Sequence, residues 1–144
     1  MANWNTNWIA WALLSAVFAS ATALLAKVGV ARVDSNLAMA LRTTVVLVFA
    51  WGIAISLGKH NLMHTLDRRA VLFLVLSGLA TGLSWLCYFR ALQLGPASRV
   101  APIDKLSVPL TIVLAWLLLG EKLTLVTLCG GLLITAGAVV IALG

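Results

Sequence analysis

Asp104 and Lys105 stand side by side in an otherwise apolar stretch, between Pro102 and Pro109. Two prolines seven residues apart each withhold a backbone N–H and interrupt a helical ladder on the same face. An acid and a base between such breaks suit a solute site or a coupling site inside a membrane. A charge at the bilayer centre costs roughly 2.5–3.5 kcal/mol on insertion scales, so it is kept where it is paired or used. The competing reading sets both residues a turn or two from the interface, with Lys105 reaching out to water. Neighbours point about 100° apart on a helix, so no simple mutual pair is expected of them.

Ser77, Thr81, Ser84 and Tyr88 fall at i, i+4, i+7 and i+11, which aligns all four on one helix face. Such a stripe lines a solvated cavity, with Trp85 as its wall, or else each hydroxyl bonds the carbonyl one turn back. Gly78 and Gly82 form a G-x-x-x-G pair that lets another helix approach closely. Ala12, Ala16 and Ser20, and again Ser15, Ala19 and Ala23, make small-residue ladders of the same kind, as do Gly130, Gly131 and Gly137. Arg42 either reaches to the surface or binds an anionic group or Asp104. His60 and His64 lie in a connection without further ligands, so no metal site is expected. There is no phosphate-binding glycine loop and no nucleophile–base set. Neither an enzyme nor a cofactor is expected.

The elements that must hold these residues are drawn by where charge is missing. The chain is 62% hydrophobic and 10% charged, and residues 1–26, 43–58, 70–89, 106–120 and 123–144 carry no Asp, Glu, Lys or Arg. Mean hydropathy is +1.09, which leaves no surface for a soluble domain. About 20 apolar residues cross a bilayer as a helix, and backbone in lipid must satisfy itself within a helix or a closed barrel. Barrel strands would alternate apolar and polar residues, and these runs do not. An all-α membrane protein of five transmembrane helices is expected, at about 6–27, 37–58, 70–92, 99–119 and 123–143. Connections fall near 29–36, 59–69, 93–98 and 120–122. Pro96 breaks the chain and Ser98 caps the next helix; Gly120 stops a helix before the Glu121–Lys122 reversal.

Residues 1–26 lack the positive start of a secretory signal and read as a retained span, anchored by Trp4, Trp8 and Trp11 on one face. Cys87 and Cys129 read as small apolar packing residues. The net charge of +6 is dispersed at helix ends, which fits lipid headgroups and not nucleic acid. Alternate connections collect Lys27, Arg32, Arg42, Arg90, Arg99 and Lys105 on one side, and Lys59, Arg68, Arg69 and Lys122 on the other. Six against four is a weak bias, compatible with insertion in both orientations. Five spans also put the two ends on opposite sides.

The run from Ala91 to Pro102, with Gly95-Pro96-Ala97-Ser98 at its centre, resembles the signature between the third and fourth spans of the EamA family. Trp116-Leu117-Leu118-Leu119-Gly120-Glu121-Lys122-Leu123-Thr124, ahead of a glycine-rich last span, is similar to that family too, and Arg42 fits its second span. The resemblance covers the whole chain as one five-span half-unit of the drug/metabolite transporter superfamily. Most members look like two such units fused in inverted orientation. It therefore implies a secondary carrier of a small polar metabolite or drug-like solute in the cytoplasmic membrane, working by alternating access as an antiparallel homodimer. Two alternatives stand. A small multidrug exporter would need an acid in its first span, which is missing here. A non-transporting membrane subunit would leave the hydroxyl stripe and the charged fourth span unused.

Overall fold

A computed structural model describes residues 8–144; Trp4, expected in the aromatic anchor, lies outside them. The described residues are helical with no strands. In order they form α1 (Trp8–Val30), α2 (Ser35–Ser56), a 3-10 helix (Lys59–Thr65), α3 (Arg68–Leu94), α4 (Ala97–Asp104), α5 (Ser107–Leu119) and α6 (Leu125–Leu143). Five stretches are long and apolar enough to cross a membrane, with α4 and α5 together making the fourth, Ala97–Leu119. The expected five-helix membrane protein is what the chain forms.

Local chemistry explains each end. Asp34 caps α2, its Oδ1 accepting from the amides of Asn36 at 2.9 Å and Leu37 at 3.3 Å. Gly58, at φ 65°, turns the chain out of α2 into the 3-10 helix, a short element that its seven-residue mixed pattern does not announce. Thr124 caps α6 by accepting from the Thr127 amide at 3.1 Å. Gly120, at φ 68°, ends α5 in the left-handed conformation that the sequence leads one to expect. Ser98 does not cap α4. Pro96 holds that position, and its carbonyl accepts from the amides of Arg99 and Val100, both at 3.0 Å. Proline fits there because its extended ψ of 141° precedes the first turn, where four N–H groups need no intrahelical partner.

The chain forms two compact units. One contains residues 26–93, the end of α1 with α2, the 3-10 helix and α3; the other contains, of the described residues, 8–25 and 94–144. In the second unit α6 packs against both α4 and α5. Gly131 is buried at that seam, where an added Cβ would lie 3.5 Å from Ile112 Cδ1 and 3.7 Å from Pro109 Cβ. Gly78, Gly82, Gly130 and Gly137 have nothing within 4 Å of an added Cβ, so among the described residues no close approach is made at them. Gly131→Leu should therefore force α5 and α6 apart and cost about 1–3 kcal/mol. Gly137→Leu, an equal change in volume, should leave the melting temperature in detergent unaltered. Equal melting of the two variants would remove Gly131 from the seam.

Candidate functional site

In the unit of residues 26–93, Arg42 does not run out to the surface. It is half-buried, with its guanidinium carbon 4.3 Å from the ring centroid of Trp85 and 5.5 Å from that of Phe89. Trp85 and Phe89 are i and i+4 on α3, so they present one continuous aromatic face to α2. Tyr88, one position before Phe89, is half-buried. Ser77, Thr81 and Ser84 continue the neighbouring strip of α3 toward its start. Thr81 takes the local option, donating to the Ser77 carbonyl at 2.9 Å. Thr43, Thr44, Thr111, Thr135 and Ser20 do likewise one turn back.

The same unit is tied together at one end. Lys27 Nζ donates to the Leu92 carbonyl at 2.6 Å, closing an orphan acceptor in the last turn of α3. Arg90 donates to Gln93 Oε1 at 2.6 Å, which turns the Gln93 amide nitrogen toward the Val33 carbonyl at 3.3 Å. Val30, Ser35, Phe89 and Leu92 are buried around these bonds. Sequence reasoning does not single out Phe89 or the Lys27 and Gln93 clasps. The i, i+4 spacing of Trp85 and Phe89 is a usable sign of the first; pairs separated by 60 residues or more leave no local sign. Lys27→Met should lower stability by about 1.5–3 kcal/mol, the range of hydrogen bonds to charged groups. A denaturant titration of the purified chain in detergent would read it, and an unchanged midpoint would demote the clasp to a surface contact.

In the other unit, the fourth span bends at Lys105 and Leu106. Pro102 has no N–H for the Ser98 carbonyl, and Pro109 has none for that of Lys105. The ladder is not cut, however. It tightens into i to i+3 bonds: Lys105 to Pro102 at 3.1 Å, Leu106 to Ile103 at 3.0 Å and Val108 to Lys105 at 2.9 Å. Contrary to expectation, Lys105 Nζ pairs with Asp104 Oδ2 at 3.6 Å. Lys105 keeps helical backbone angles (φ −70°, ψ −6°), so the two still point apart, and the long lysine stem closes the gap. The pair is half exposed, at 58% and 37%, and a pair that wet contributes at most about 1 kcal/mol. Its interest is chemical: a titratable carboxylate at the bend of a span.

An apolar groove of about 410 Å³ runs along α1 past Ala10, Trp11, Leu13, Leu14 and Val17. With no polar group to orient a solute, it suits an acyl chain. His60 and His64 lie in the 3-10 helix, and among the described residues no three His, Cys, Asp or Glu gather as metal ligands would. Cys87 and Cys129 are free and exposed.

Charged and aromatic groups set inside membrane-spanning helices suit a protein that handles solutes or ions within the bilayer. The chain matches the EamA-like transporter family over residues 6–143 and belongs to that family. It is 50% identical over 138 residues to a protein of Sinorhizobium sp. named "Uncharacterized transporter in cobO 3'region", covering 96% of this chain and 98% of that one. No solved structure matches it. The protein is a multi-pass membrane transporter.

Proposed function

We propose that the protein is a secondary carrier of a small polar solute in the cytoplasmic membrane, acting as an antiparallel homodimer by alternating access. The observation that carries this reading is the bend in the fourth span, where Asp104 and Lys105 sit half exposed within a stretch of membrane-spanning length. A paired acid and base at a proline-flanked bend is the type of group that binds or couples an ion in broken-helix carriers. Dimerisation is supported by exposure: at most 11% of the most apolar window of any span is buried. Lipid can cover part of that surface, and Gly78 and Gly82, open among the described residues, offer a second copy places for close helix approach. The direct test is reconstitution into proteoliposomes under an imposed pH gradient, with a panel of small polar solutes read as electrical or tracer uptake. Saturable, gradient-dependent uptake of one class is expected. Silence across the panel, with a folded protein, would argue for a subunit that transports nothing by itself.

A further inference from the structure

The chain has four acids against ten Lys and Arg, and none of the four lies against Arg42. Asp34 is engaged in capping α2. Asp104 pairs with Lys105. Asp67 precedes α3 and Glu121 lies beyond Gly120, outside the helices. Among the described residues no carboxylate pairs with the Arg42 guanidinium, which lies against the Trp85 and Phe89 rings. Its depth can be measured twice. Arg42 is seven residues beyond Ser35 on α2, roughly 10 Å at 1.5 Å per residue. Its ring partners Trp85 and Phe89 lie nine and five residues before the end of α3, roughly 13 and 8 Å. The cation is therefore well inside the spans. Ring contact offsets about 0.5–2 kcal/mol of the cost of keeping it there and leaves the rest uncompensated.

We infer that Arg42, laid against Trp85 and Phe89, is the binding group for an oxyanion, a carboxylate or a phosphate. The rings lie 4.3 and 5.5 Å from the guanidinium carbon, and the N–H donors of a guanidinium lie in its plane at the edges, where a carboxylate or phosphate accepts two at once. Stacking also fixes the long side chain before the anion arrives, so less rotamer freedom is lost on binding. The hydroxyls of Ser77 and Ser84 on the adjoining strip are suited to the uncharged part of the same ligand. The anion belongs either to the transported solute or to a lipid headgroup drawn into the unit. This assignment rests on the carrier reading only for the choice between those two sources.

The experiment uses the full chain with ¹⁵N-labelled arginine in phosphatidylcholine nanodiscs, the Arg42 Nε–H signal being assigned with Arg42→Lys. An upfield ring-current displacement of that signal, lost in Trp85→Leu, verifies the stack first. Sodium phosphate and sodium acetate are then titrated against sodium chloride at constant ionic strength. A saturable shift of the Arg42 signal is expected, exceeding that of Arg32, Arg68, Arg69, Arg90 and Arg99. Affinity read from the tryptophan fluorescence of the same titrations should fall about tenfold in Arg42→Lys, the loss of one of two parallel bonds, and binding should vanish in Arg42→Gln. A second set of discs contains phosphatidylglycerol. If that lipid alone moves the signal and soluble anions do not compete, the headgroup is the ligand; if they compete, the solute is. A stacked Arg42 that responds to none of phosphate, acetate and phosphatidylglycerol overturns the inference. Gradient-driven transport of neutral or cationic solutes by such a protein would leave the carrier reading intact, whereas saturable anion binding without flux would do the reverse.

Discussion

Asp104→Asn should insert and fold as the parent does, yet lose gradient-driven uptake by a factor on the order of 100 or more, the scale of removing a proton-transfer group. Asp104 is the sole acid within a span among the described residues: Asp34 and Asp67 precede helices and Glu121 lies past the end of one. Asparagine keeps the shape of the side chain and its capacity to accept a hydrogen bond, but it neither binds a proton nor balances Lys105. Because the pair is half exposed, its loss changes stability by less than about 1 kcal/mol, so a failure of transport would not be a failure of folding. Two assays separate the possibilities. Concentrative uptake under a pH gradient should vanish, while solute exchange at equal concentrations, which needs no net proton movement, should continue. Uptake equal to the parent's would remove Asp104 from coupling.

Reporters that each work on one side of the membrane, fused in turn to the C-terminus, should both give signal. Lys and Arg bias is what orients short-looped helices, and six residues against four is too little to enforce one choice. The bias can be tilted at exposed positions. Ala31→Lys with Ser98→Lys gives eight against four; Arg32→Ala and Arg99→Ala with His60→Lys, Asn61→Lys, His64→Lys and Glu121→Lys give four against eight. Each set alone should insert one way and transport nothing, and expressing both together should restore uptake. Full activity from a single-orientation variant would exclude an antiparallel pair and favour a parallel one.

The spans are legible in the sequence because charge is so costly in lipid that its absence draws the helices. The expected spans differ from the observed ones by a few residues at their ends. The kink in the fourth span is legible from Pro102 and Pro109. What escapes depends on distance or on local geometry that periodicity does not carry. The clasps of Lys27 to Leu92 and Gln93 to Val33 join residues 65 and 60 positions apart. The Asp104–Lys105 pair exists because the lysine stem is long enough to fold back across the helical spacing. The cap of α4 goes to Pro96 and not Ser98, since a proline in extended backbone already satisfies the turn. The hydroxyl stripe reads as one unit, yet Thr81 is committed to the Ser77 carbonyl, and Phe89, an apolar neighbour, matters more to Arg42. Sequence finds the candidate groups by type; it does not find their partners.

The clasp at the end of the first three helices also has a timetable. Lys27 must wait for the Leu92 carbonyl, 65 residues later in the chain. At a synthesis rate of about 5–20 residues per second, that is a delay of roughly 3–13 s. Throughout it, α1 lies in the insertion machinery without the bond that later fixes its end to α3. A helix held by nothing but its own hydrophobicity is free to turn over, and it loses that freedom once α3 arrives. If the chain inserts in both orientations, ribosome speed sets how long each molecule has to choose, and slower translation across codons 28–92 should then bring the two orientations closer to equal numbers.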